Sequence, residues 1–104
     1  METFELIALE ISYQQHTKPL SFTSAELVRV TEYGSRLWYV DLNGLGDREL
    51  LAWFGQSEDI EVQLTAVAGG GQVFRGKGFF HPNELHRAAA IRGDGELIEQ
   101  HEQA

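Results

Sequence analysis

From Ile60 to Ala66 the chain reads Ile-Glu-Val-Gln-Leu-Thr-Ala, apolar and polar residues alternating without a break. Successive side chains of an extended strand point to opposite faces. A period of two therefore puts Ile60, Val62, Leu64 and Ala66 on one buried face and leaves the other in water. A helix would scatter the same residues around its circumference. Phe4–Tyr13 repeats the pattern, with Ile7, Leu9, Ile11 and Tyr13 expected on one face and Glu10, Ser12 and Gln14 on the other. His16-Thr-Lys-Pro19 reads as a turn, proline fixing φ.

The next strands are predicted over Ala25–Thr31 and Arg36–Leu42. With Tyr33-Gly34 as a two-residue turn, Val28 faces Tyr39 and Val30 faces Leu37. Arg29 then stands opposite Trp38 on the other face, a spacing that suits a cation–π pair. Both faces of this hairpin carry large apolar groups, which predicts a central place in the sheet. Asp47–Gly55 breaks the period and predicts a helix of about two turns. Asp47 would accept from the orphan amides at its start, and Gly55 would supply a left-handed residue at its end. Leu50, Leu51 and Phe54 or Trp53 would face the sheet, because a helix this short needs burial to persist.

The stretch Gly71-Gln-Val-Phe-Arg-Gly76-Lys77-Gly78 spells most of a phosphate-cradling P-loop. Such a loop must open a helix, whose first amides hold the phosphates. Here Gly78 replaces the magnesium-binding hydroxyl, and Phe79-Phe-His-Pro82 has no helical period. A repeat accounts for the glycines better. Phe74-Arg-Gly-Lys-Gly-Phe-Phe80 matches Ile91-Arg-Gly-Asp-Gly-Glu-Leu97, so that Gly76, Gly78, Gly93 and Gly95 take inward strand positions. Inward glycine marks a bend, a bulge or the close approach of a bulky partner, for which Trp38, Trp53 and the phenylalanines are available. With His81-Pro-Asn-Glu84 as the connection, strands 72–80 and 86–98 pair antiparallel. Gly78 then falls near Ala89 and Gly76 near Ile91, or a slip of two residues away.

These elements predict a mostly β domain over residues 1–98. It would be a small antiparallel barrel or sandwich of six to seven strands with one short helix near residues 47–54, followed by a frayed tail at 99–104. A chain of 104 residues suits a single domain.

Eight lysines and arginines against sixteen acids give a formal charge of −8. Phosphate backbones and anionic membranes are held by cationic side chains, so neither nucleic acid nor a membrane surface is expected as a partner. The opening METFELIALE has no basic n-region, and no apolar run is long enough to span a bilayer, which points to a cytoplasmic chain. Without cysteine there is no disulfide, thiolate zinc site or cysteine nucleophile.

His81, Glu84 and His86 form the densest group of potential metal ligands. Zinc needs three or four converging ligands, and Pro82 places this group in a turn, so neither a metal site nor any cofactor is predicted. Asp41, Asp47, Glu49, Glu58 and Asp59 supply carboxylates, but nothing in the sequence nominates one as a general acid. Arg92-Gly93-Asp94 spells an adhesion tripeptide but lies inside the strand repeat. Trp38, Tyr39, Trp53 and Phe54 read as core.

The ending Gly76-Lys-Gly-Phe-Phe…Ala88-Ala-Ala-Ile-Arg-Gly93-Asp-Gly-Glu-Leu97 resembles the closing hairpin of phage tail-tube proteins, over roughly a quarter of the chain. That resemblance implies a small β-barrel with a flanking helix that assembles into stacked rings, although the long ring-joining loops of the family are not visible. The expected function is accordingly non-catalytic: protein binding or self-association, through exposed strand edges. The alternative is a small-molecule-binding or hydrolytic domain whose cleft combines His81, Glu84 and His86 with Arg75 or Lys77.

Overall fold

A computed structural model of the chain describes residues 1–32 and 35–101. Seven strands and one helix follow in the order β1 (Glu2–Tyr13), β2 (His16–Pro19), β3 (Ser24–Glu32), β4 (Ser35–Asn43), α1 (Arg48–Gln56), β5 (Glu61–Ala68), β6 (Gln72–Asn83) and β7 (Ala88–His101). The sheet order is β2-β1-β3-β4-β7-β6-β5, and β5 also pairs with β1, which closes six strands into an antiparallel barrel with β2 as an extra strand. The expected fold class is the observed one. Among the described residues, no helix is long and apolar enough to cross a membrane.

β1 makes closure possible by serving three neighbours. One edge carries β3 beside Glu2–Glu5 and β2 beside Glu10–Tyr13, while the other carries β5 from Leu6 to Ser12. A bulge between Leu6 and Ala8 shifts the register against β5. The extra residue reverses which parity faces inward. Leu6 is therefore buried and Ile7 is 67% exposed, while Leu9 and Ile11 are buried as expected. Ile7 thus lies outside the face assigned to it. His16–Pro19 is a strand rather than a turn. The chain reverses at Gln14 and Gln15, both at positive φ (49° and 64°), a pair without the asparagine or glycine that usually announces such a hairpin.

The β3–β4 hairpin has the predicted register, Val28 opposite Tyr39, Val30 opposite Leu37 and Arg29 opposite Trp38, and lies between β1 and β7. Its turn, Tyr33-Gly34, lies outside the described residues. Arg29 does not stack on Trp38. Its guanidinium lies over the rings of Phe4 (5.4 Å) and Phe74 (5.9 Å) instead.

α1 lies across the barrel end formed by Tyr13, Leu42, Val62, Phe80 and Ala89, burying Leu50, Leu51 and Phe54 in the common core. Phe54 stacks on Phe80 at 4.3 Å and meets Tyr13 at 4.9 Å. Asp47 caps the helix as predicted, its Oδ1 accepting from the Leu50 amide at 3.0 Å. Gly55 does not end it. The helix runs to Gln56 with Ser57 as an extended C-cap, and Gly55 instead clears space for the Glu84 carboxylate.

The glycine repeat sits on β6 and β7, and Gly76, Gly78 and Gly93 face inward as expected; Gly95 does not, being exposed at positive φ with open space where a side chain would project. A side chain at Gly93 would overlap the indole of Trp38, and one at Gly76 would come within 2.8 Å of it. The matching glycines of the two copies thus form a cradle for one tryptophan, which is only 5% exposed. Gly78 serves a different need. Its Cβ would meet the Arg92 carbonyl oxygen at 2.6 Å, so glycine permits the close crossing of β6 and β7. Trp53 plays no part in this cradle.

The β6–β7 register is Gly78 opposite Gly93, four residues from the expected Gly78–Ala89 pairing. The cause is Pro82. β6 continues through His81-Pro-Asn83, and the turn is Glu84–Arg87. The Phe80 amide donates to Ile60 on the β5 side, so two residues later the absent amide of Pro82 points where β5 has already ended. Proline costs no ladder bond there. β7 likewise runs on to His101, opposite Gln72, so residues 99–101 are strand rather than tail, and 102–104 lie outside the described residues.

Gly93→Ala should destabilise the protein by about 1–3 kcal/mol through overpacking against Trp38. Trp38→Leu should lose less in the Gly93→Ala background than in the wild type, because the added methyl then occupies vacated space. Urea titration of the three variants measures this; strict additivity would mean that the glycine is not there for the indole. Asp47→Ala should cost about 1 kcal/mol at neutral pH. The Leu50 amide, and then Lys18 at 3.1 Å, hold the Asp47 carboxyl below its ordinary range. A depressed carboxyl stabilises above its unfolded pKa and loses that contribution as pH falls through the folded one. The gap between variant and wild type should therefore close in acid below about pH 4.

Candidate functional site

The barrel is not hydrogen-bonded around its whole height. β4 and β7 pair from Leu42–Ala89 to Tyr39–Arg92, and the ladder stops there. Beyond that point Ser35–Trp38 stays with β3, while β7 follows β6 as far as Gln72–His101. The strands part because β7 bulges. Between the pairs Lys77–Asp94 and Arg75–Ile98, β6 advances two positions and β7 advances four. Gly95, at φ +82° with open space where a side chain would project, is the left-handed residue that this detour needs.

Between the diverging strands lies a cavity of about 320 Å³. Its floor is Trp38, whose indole N–H donates to the Gly95 carbonyl at 3.0 Å and bridges the gap from beneath. Leu37, 65% exposed, and Leu97 supply apolar walls, and Glu2, Thr31 and Glu96 line the remainder. Arg29 closes the inner end. Its Nη2 lies 2.8 Å from Glu2 and its Nη1 2.8 Å from Glu99, so one guanidinium ties the first strand to the last. Partial burial works against that charge, and the two carboxylates outweigh it, raising the arginine above its ordinary value.

The residues singled out from sequence are divided among other places. Arg75 donates to Gln100 at 2.6 Å, and Lys77 stands between Glu61 (3.6 Å) and Asp94 (3.4 Å), carboxylates that raise its pKa. Both line a shallow groove on the outer wall with Ile98. His81 projects from the outer face of β6. Glu84 borders a different groove with Arg48 and Leu85 on the helix side, and the exposed His86 donates its amide to Asn83 Oδ1 at 3.4 Å. Among the described residues no group of three such side chains could hold a metal ion. A further groove of about 460 Å³ runs between β2 and α1 past Tyr13, His16 and Trp53.

Sequence reasoning did not find the seam. Its signals were Leu37, an apolar residue at an outward parity, and a glycine in the second Arg-Gly-x-Gly copy that faces no bulky partner. No protein-family description, curated protein or solved structure matches this chain.

Arg29→Lys should destabilise the protein by about 1–2 kcal/mol, since a single ammonium cannot bridge two carboxylates and lie across two rings. The amides of Thr3 and of Glu99–His101 should exchange faster with solvent in this variant while those around α1 stay protected. Uniform acceleration over the whole barrel would show that Arg29 supports the general core and not the end of the seam.

Proposed function

We propose that this chain is a non-catalytic binding domain that accepts an extended segment of a partner protein at the seam between β4 and β7. The observation that carries the reading is the early end of the β4–β7 ladder, which leaves the β4-side edge of β7 without a ladder partner from Gly93 to His101, with the bulge at Gly95–Leu97 set into it. Such an edge is a template for an added strand, with main-chain bonds giving affinity and side-chain pockets giving selectivity. The cavity over Trp38 is such a pocket, placed against the open backbone.

The stretch that resembles tail-tube proteins, Gly76–Leu97, forms one wall of this seam, and the reading is consistent with a role in assembly. The alternative of a small-molecule or hydrolytic cleft has less support, because Arg75 and Lys77 border one groove and Glu84 another.

Amide chemical-shift mapping of the isotope-labelled protein tests the proposal, first in a concentration series and then with capped peptides of alternating apolar and polar residues. Perturbation should concentrate at Leu37–Trp38 and along Gly93–Leu97. Shifts confined to the His81–Arg87 turn, or none with either increasing concentration or any extended peptide, would overturn it.

A further inference from the structure

We infer that the seam selects a basic segment, adding it as a strand to the free edge of β7 with one apolar side chain lowered onto Trp38. This rests on the strand-accepting reading above and specifies its partner.

The charge distribution carries the inference. Gly93–His101 contains Asp94, Glu96 and Glu99 and neither lysine nor arginine. Glu99 and Glu2 are engaged by Arg29, and Asp94 by Lys77. Glu96 lines the cavity, and among the described residues no cation pairs with it. A strand laid on this edge therefore meets Glu96, without a cation partner among the described residues, and two more carboxylates whose charge is only internally balanced.

The same residues argue against a second copy of this chain. Two β7 edges pairing antiparallel would bring two acid-rich stretches together, and registers that oppose Asp94 to Glu99 or Glu96 to itself set like charges across the ladder, which destabilises it. The −8 net charge adds repulsion at longer range. A segment alternating lysine or arginine with aliphatic residues meets neither obstacle. Its inward residues reach Leu97 and the indole, and its outward ones fall beside Leu37, Glu96 and Asp94, the aliphatic stems of the basic residues covering Leu37.

Capped heptapeptides with a fluorescent label serve as probes: Lys-Val-Lys-Leu-Lys-Val-Lys, its neutral twin with threonine for lysine, and a fully N-methylated form of the basic peptide. The basic peptide should bind about tenfold more tightly than the neutral one at low salt, and lose that advantage as salt is added. The N-methylated form should not bind, since it retains the charge but cannot donate to the edge. Glu96→Gln should weaken the basic peptide about threefold and leave the neutral one unchanged, whereas Leu37→Ser should weaken both.

Equal binding of the neutral twin would overturn the charge selection and leave strand addition standing. Binding of the N-methylated peptide, or indifference to Leu37→Ser, would overturn strand addition at this seam and the charge selection with it. If no peptide binds, both are overturned.

Discussion

The packing of Trp38 against Gly76 and Gly93 sets the architecture of this barrel. A six-stranded barrel has a narrow interior, and an indole can enter only where facing strands give up their own side chains. The two glycines, at matching places in the two copies of the repeat, leave that space. In return β6 and β7 lose the side chains that would have filled this layer, and the indole replaces them. Neither arrangement is stable without the other. The seam follows from the same contact: the indole N–H needs an acceptor when buried, and the bulge at Gly95 presents a carbonyl to it. Satisfying that donor turns β7 away from β4.

The two ends of the barrel are closed by different physics. At one end α1 supplies Leu50, Leu51 and Phe54, an apolar plug held by burial and by the Asp47 cap. At the other, Arg29 lies across Phe4 and Phe74 with its guanidinium fastened to Glu2 and Glu99. An arginine suits that place because its stem and planar face pack on rings while its edge stays bonded at the rim. The polar closure is partly open to solvent. The apolar one is not. The distinction places the adaptable part of the molecule beside the seam.

What could be read from the sequence was what local pattern decides. The Val28–Tyr39 register follows from a two-residue hairpin, the helix start from Asp47 ahead of an apolar pair, and the glycines as room for a bulky partner from their inward parity. What escaped was decided at long range or carried no chemical signature. Nothing near Ile7 announces a bulge, because the extra residue answers the register of β5, some sixty positions away. Gln14-Gln15 makes a tight reversal with residues that do not favour it, imposed by the pairing of β1 with β2. Pro82 looked like a strand end because the premature end of its neighbour β5 was not visible. The seam required knowing where one ladder stops while the next continues, a relation among strands that no single strand encodes.

Closure is the usual means by which a β protein removes its edges, and the β4–β7 ladder of this barrel stops short beside Trp38. An unpaired edge above an apolar pocket ordinarily invites association with any passing strand. Here the edge carries three carboxylates and a left-handed glycine, and both discourage a regular, uncharged strand. The acids disfavour pairing of this edge with its own copies, since every copy bears the same charges. The carboxylates offer no such protection against a cationic strand, for which they are the attraction. Under the proposal, protection from self-pairing and preference for a basic partner are two consequences of one charge pattern. On the proposed reading, what looks like an unfinished barrel is an edge left open to a single class of segment.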